Sequence, residues 1–436
     1  MPLHGIGGRQ DLPLPFSLVV AGAAVAIVAS FLVLGLAWRT PRYGGAEADR
    51  RLPGFTRLVD AAAFRWTVRG LGLAIAGWMT MALLFGKDLL TNPIFGFVYV
   101  WVWVGLVPVS LLFGPLWRTL NPLRSLHLLV CRVLHDDPQQ GLYRMPNWLG
   151  FWPAAVGLYA FAWLELVAPG RVTIPILLLW LSLYVAIMLG GSLLFGQAWF
   201  TAADPFETYA SLIAHLSVWG RDSAGTIVLR SPLRNLGSLQ PRPGLVVVVA
   251  VLLGSTAYDG FSSSTAWIIW AQDRQWPVLT LPTAALTGFI LLVLVSSSGA
   301  AALAGTLAGV RRRALPGLFA HSLIPIVLGY ATAHYLTLFI LEGQRTALLI
   351  SDPLGLGWNV FGTAEGGVNT AITRMPGLIA AFKAGAVVGG HILGIIAAHD
   401  RALALFPRSA AVLGQLPLLL VMVGYTVGGL LVLFAV

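Results

Sequence analysis

Charge and cysteine are what this chain has least of. Only 10% of its 436 residues are Asp, Glu, Lys or Arg, while 57% are hydrophobic. Soluble globular domains carry about a quarter charged residues, so that class is excluded. A single cysteine, Cys131, rules out a disulfide or a cysteine metal cluster within the chain. The signatures of soluble enzymes are missing too. There is no His-Glu-x-x-His, no Gly-x-Ser-x-Gly elbow, no P-loop and no GxGxxG turn. No Cys-x-x-Cys-His for attached haem occurs. Serine runs at Ser262–Ser264 and Ser296–Ser298 read as loop and helix-packing residues.

Long apolar runs are what is there. Mean hydropathy is +0.82, and runs of about 20 residues, enough to cross roughly 30 Å of hydrocarbon, recur along the chain. They predict an all-α, polytopic integral membrane helix bundle with about ten spans. These lie near 14–37, 70–86, 94–114, 150–168, 173–196, 244–262, 278–309, 316–340, 376–398 and 411–435. The first run lacks a basic region and a small-residue cleavage site, so it reads as a retained helix.

The net charge of +10 does not mark a nucleic-acid binder, because the arginines fall between apolar runs. Most of them share one set of loops: Arg39 to Arg69, Arg118 to Arg144, Arg221 to Arg242, Arg311 to Arg313, and Arg401 with Arg408. The positive-inside rule puts that set in the cytoplasm and both termini on the periplasmic side. The expected setting is a bacterial inner membrane, with the lipid bilayer as partner.

Asn121-Pro122 and Asp204-Pro205 each pair an N-cap residue with proline at the first helical position. Phe206, Tyr209, Ile213, Leu216 and Trp219 then follow near helical spacing, which predicts a cytoplasmic, interfacial amphipathic helix. Phe113-Gly-Pro-Leu-Trp117 precedes the first cap and Phe195-Gly-Gln-Ala-Trp199 the second. The match suggests a weak parallel repeat, 70–135 and 150–220, within a single transmembrane domain covering 1–436. A chance match in a chain with 16 tryptophans is the alternative.

Several strings resemble a family of bacterial multi-pass membrane proteins known as fenitrothion hydrolase. They are His4-Gly-Ile-Gly-Gly-Arg-Gln-Asp-Leu-Pro-Leu-Pro15, Asp204-Pro-Phe-Glu-Thr-Tyr209 and Arg242-Pro-Gly-Leu245. Leu253-Gly-Ser-Thr-Ala-Tyr-Asp-Gly-Phe261, Ala333-His-Tyr-Leu-Thr337, Glu342-Gly-Gln344 and Ser351-Asp-Pro353 continue the likeness. Ala398-His-Asp-Arg-Ala402 and Met422-Val-Gly-Tyr-Thr-Val-Gly-Gly429 complete it. The resemblance covers nearly the whole chain. It implies a membrane-bound hydrolase that cleaves an aryl organophosphate ester into a nitrophenol and a dialkyl thiophosphate.

Ionisable residues at membrane depth are expensive and therefore functional candidates. His334 lies inside an apolar run, with Tyr330 one turn before it on the same face. Lys383 enters the next span from the far side and reaches about the same depth. Asp259 and Glu165 end two other spans there, and Glu342 leads into a loop carrying Asp352. A catalytic cluster of His334, Glu342, Lys383, Asp259 and Asp352 follows as the expectation. His334 and Glu342 would hold a divalent metal ion that activates water, and Lys383 or Arg345 would steady the phosphoryl charge. The plain alternative is a buried ammonium paired with one carboxylate, and a histidine bonded between helices.

His321, His391 and His399 lie toward the arginine-rich side, as do His127, His135 and His215. They would line a proton or ion route, or simply anchor helix ends. If Met1 is removed, Pro2-Leu3-His4 adds a terminal nitrogen site for copper(II) or nickel(II), with His4 as metal ligand. A small-molecule substrate is expected and nucleic acid is not. The competing functions are a transporter or permease for a small solute or metal ion, and an accessory subunit with a membrane-protein partner or a second copy of the chain.

Overall fold

A computed structural model describes residues 7–43, 49–273, 276–308, 311–407 and 410–434. Twelve helices matter here: α1 (Phe16–Ala37), α2 (Ala62–Phe85), α3 (Leu106–Phe113), α4 (Pro122–Leu134), α5 (Trp152–Leu166), α6 (Ile174–Phe195) and α7 (Pro205–Ala214) come first. The rest are α8 (Leu245–Ser262), α9 (Thr280–Ala308), α10 (Ile324–Leu349), α11 (Pro376–Leu405) and α12 (Leu416–Leu433).

Among the described residues, eight helices are long and apolar enough to cross a membrane. A bent pair, Pro93–Val102 with Leu106–Phe113, meets at 46° and brings the number to nine if it is one span. The expected span at 150–168 forms only a 15-residue helix, α5, about 22 Å long at the usual rise. Pro153 stands in its first turn and Pro169 follows soon after its end, so prolines mark both ends.

The chain divides into two compact units. Unit one comprises Met1–Gly45, Leu233–Thr337 and Thr370–Val436; unit two comprises Ala46–Pro232 and Leu338–Asn369. In unit one, α8 is the most enclosed span and packs along α9. Glycine makes that possible, since a Cβ at Gly254 would stand 2.6 Å from the Ile290 Cα. Small residues let backbones approach where lipid offers no hydrophobic drive for helix association. The first part of α10, with the 3-10 turn Ala320–Leu323 just before it, and the middle of α11 meet the same way. A Cβ at Gly329 would sit 2.4 Å from the Ala386 carbonyl, one at Gly390 2.5 Å from that of Pro325, and one at Gly394 2.7 Å from that of Ser322. Rising numbers on α10 meet falling numbers on α11, so the two run antiparallel. Helix α1 packs on α11 and α12 and leaves Leu18, Val25, Leu32, Val33 and Leu36 exposed, an apolar outer face suited to lipid.

In unit two, aromatic rings form the centre. Trp103 at the bend, Phe161 on α5, Trp180 and Tyr184 on α6, and Phe206 and Tyr209 on α7 touch in sequence, with centroids 5.0–6.2 Å apart. Such pairs add about 0.5–1.5 kcal/mol each beyond their burial. A small antiparallel sheet joins Arg50–Arg51 and Trp219–Arg221 to the central strand Ile227–Leu229.

The expectation of an interfacial helix after Asp204 is corrected. Helix α7 is buried on every side, including Glu207 and Thr208. Its apolar face meets the aromatic rings, and Arg124 neutralises its one acid. Helix α4 behaves differently. It buries Arg124, Ser125 and His127 and exposes Leu126, Leu129, Val130, Val133 and Leu134. Its polar face points inward and its apolar face outward, as a membrane allows.

Candidate functional site

Unit one joins Asp259 to His334. The imidazole Nε2 lies 2.9 Å from Asp259 Oδ2, and the Tyr335 hydroxyl donates to the same oxygen at 2.9 Å. Asp259 stands three residues before the end of α8, and His334 and Tyr335 are adjacent on α10. Gly260 lies beside the pair: a Cβ there would stand 2.9 Å from a Val432 methyl, 3.3 Å from the Tyr330 hydroxyl and 3.6 Å from His334 Cε1. Tyr330 stacks on His334 with parallel rings 6.3 Å apart, and Tyr335 meets the imidazole edge-on at 4.7 Å. His334 is 4% exposed, so the pair sits in low dielectric. Removing either partner would leave the other's buried polar atom short of a hydrogen bond, a loss of about 1–3 kcal/mol. The Tyr330 hydroxyl is buried and has no hydrogen-bond partner among the described residues.

Lys383 reaches the same level. Since Gly390 meets Gly329 on antiparallel helices, the residue seven places earlier on α11 stands within about half a turn of His334. It is 2% exposed. The Asp11 carboxylate, which lies outside the apolar spans, acts on its ammonium. Asp11 belongs to a short 3-10 turn, Arg9–Asp11, whose carbonyl lies 3.3 Å from where a Gly377 Cβ would stand. The signal was present in the Gly-Arg-Gln-Asp string, but nothing in one sequence says that it folds over the start of α11.

The other expected members belong to unit two and already have local tasks. Glu342 pairs with Arg345 at 3.5 Å on the same helix. The Asp352 carboxylate accepts the backbone N–H groups of Leu356 and Gly357, closing a loop. Glu165 neighbours Tyr99 and Tyr209. His4 lies outside the described residues. No group of three or more His, Cys, Asp or Glu with metal-holding geometry occurs among the described residues.

Unit two holds a second polar centre that the sequence expectations did not include. Asn121 and Asp204 cap α4 and α7, each accepting the next two free backbone N–H groups at 2.9–3.3 Å. The two caps also meet, with Asn121 Nδ2 donating to Asp204 Oδ2 at 2.6 Å. Three residues into each helix, Arg124 grips Glu207 with two bonds of 2.7 and 3.0 Å, and Gln197 takes a third guanidinium N–H. Bidentate arginine–carboxylate contacts are the strong kind. All four residues are buried, and burial pushes the Asp204 carboxyl up to about 7, with the Glu207 charge adding to the effect. A readable signal existed, for both contacts join residues 83 apart, the offset between the two capped motifs.

The remaining histidines divide. His399 is a tether, bonded to Gln415 and to the Trp38 carbonyl at 3.1 Å each. His391 places Nδ1 2.8 Å from the Val387 carbonyl, and its buried Nε2 has no partner among the described residues. His321 lines a cavity of about 90 Å³ with Tyr43, Asp400 and Arg401.

No protein-family model, curated protein or solved structure matches this chain.

Proposed function

We propose that the chain is a membrane-embedded hydrolase of aryl organophosphate esters in which the Asp259–His334 pair is the general base. The observation that carries this reading is the 2.9 Å carboxylate–imidazole contact, braced by Tyr335. A histidine oriented by a carboxylate is the standard device for taking a proton from an attacking water. Water attacks phosphorus, the pair takes its proton, the phosphorus–aryl oxygen bond breaks, and a nitrophenolate leaves. A nitrophenolate is a stable anion, so no acid need be held ready for it. Lys383, level with His334, supplies positive charge as the phosphoryl group becomes more negative. The likeness to fenitrothion hydrolase supports the substrate class.

The test is hydrolysis of a nitrophenyl dialkyl phosphorothioate by detergent-purified protein, followed by release of the coloured phenolate. Full activity in both D259N and H334Q would remove this site from the reaction. The second reading is a transporter for a small solute, and the enclosure of His334 and Lys383 favours it, since intramembrane charges commonly mark transport pathways. Solute flux in proteoliposomes without any phenolate release would decide for it.

The same reading has both termini opposite the arginine-rich loops in a bacterial inner membrane. Parity then requires α5 and the bent pair each to cross, making ten spans. A crossing helix of about 22 Å is short for a 30 Å core, and thinning of the bilayer beside unit two would accommodate it. We also take 70–135 and 150–220 as a parallel repeat. Supporting this, Gly114 and Gly196 adopt nearly the same rare conformation, φ 67°, ψ −145° and φ 65°, ψ −157°, just before the two capped helices.

A further inference from the structure

Four protonatable groups follow one another through unit one, and two of them present a buried polar atom with no hydrogen-bond partner among the described residues. His391 Nε2 and the Tyr330 hydroxyl are those two. Both residues directly follow a glycine at the tightest point of the α10–α11 crossing, Gly329 and Gly390. A step of one residue turns a helix by about 100°. On antiparallel partners those turns carry Tyr330 and His391 to the same side of the seam.

The levels form a ladder. His321 lies nine residues before Tyr330, about 14 Å lower along the helix. His391, beside the Gly390 that meets Pro325 and Gly329, falls between them. Tyr330 stacks on His334, one turn further on, with ring centroids 6.3 Å apart. The Tyr330–His334 step is short enough for one bridging water to span. At the lower end, His321 opens on the cavity shared with Tyr43, Asp400 and Arg401. Its volume of about 90 Å³ is room for several waters. Asp400 is held there by the Arg42 backbone N–H at 2.6 Å, and Arg401 donates to the Gly237 carbonyl at 2.8 Å, so both walls are fixed. At the upper end Asp259 stands less than one turn from the end of α8.

We propose that unit one conducts protons between the cavity at His321 and the Asp259–His334 pair, by way of His391 and Tyr330. His391 uses Nδ1 to donate to the Val387 carbonyl, so it takes and returns the mobile proton at Nε2. Tyr330 accepts a proton through water on one side while passing its own to the other. No covalent bond changes and only protons move. The activity does not depend on the hydrolytic reading, and its measurement contains no ester.

The experiment uses the full chain in potassium-loaded vesicles with valinomycin and an internal pH dye. A potassium gradient sets the membrane potential, and the rate of internal pH change reports proton flux. Wild type should exceed protein-free vesicles at least tenfold. H391F and Y330F should each fall to within twofold of protein-free vesicles. H391Q keeps a polar group in the helix seam but cannot carry a proton at neutral pH, and should lose flux with an unchanged elution profile. A wild-type rate equal to protein-free vesicles overturns the proposal. So does full flux in H391Q together with Y330F.

Discussion

Asp204 is a carboxyl with no exposed surface that accepts from the Phe206 backbone N–H, from Asn121 and from the Tyr184 hydroxyl. Burial raises its folded pKa to about 7, above the ordinary value near 4. Between those values the unfolded chain has lost the proton and the folded chain keeps it. The unfolded state therefore binds fewer protons, and stability falls as pH rises through that window. Thermal unfolding of detergent-purified protein should show lower stability at pH 7 than at pH 5. In D204N that slope should flatten, whatever the mutant's absolute stability, and an equal slope in mutant and wild type would refute the assignment. At the other centre, D259N and H334Q should each lower phosphorothioate hydrolysis by about 10²–10⁴, the usual worth of a general base. Y335F, which removes one of the bonds to Asp259, should cost less, about tenfold.

Among the elements, α4 and α7 are locked by Arg124 and Glu207. R124E places two carboxylates together in a buried site and should destabilise unit two by about 3–5 kcal/mol. E207R would set two guanidiniums against each other at similar cost. The double swap R124E/E207R should recover most of the loss, because both residues stand three places after a cap and the pair is reversible in position. Unfolding midpoints of the three variants check this, and no recovery in the double swap would mean that Gln197 and Thr201, which also hold Arg124, fix its polarity. The glycine seam of α10 and α11 gives a second case. G390A places a methyl group 2.5 Å from the Pro325 carbonyl and should cost about 1–3 kcal/mol through forced separation. An alanine at Gly385, where nothing lies within 4 Å, should be tolerated.

For the molecule as a whole, the orientation of the arginine-rich loops is the first question. In a C131S background, S223C lies in an exposed turn of that loop set, and W358C in the exposed loop after α10. A membrane-impermeant thiol reagent applied to intact cells should label W358C and spare S223C. The reverse pattern would invert the protein and move the Asp259–His334 pair toward the cytoplasm.

Much of this organisation was legible in the sequence. Apolar runs of spanning length and the grouping of arginines are local and additive properties, so composition and spacing determined the helical membrane class. The caps at Asn121 and Asp204 were likewise readable, because capping is settled within three residues. Partnership across helices was not. Asp259 and His334 stand 75 residues apart, and only the packing of α8 against α10 decided that they touch. The same limit explains α7, whose spacing looked interfacial while its surroundings closed over both faces. Helical periodicity records that a face is apolar, but whether lipid, rings or another backbone covers it depends on packing between distant segments, and that was left to the tertiary structure.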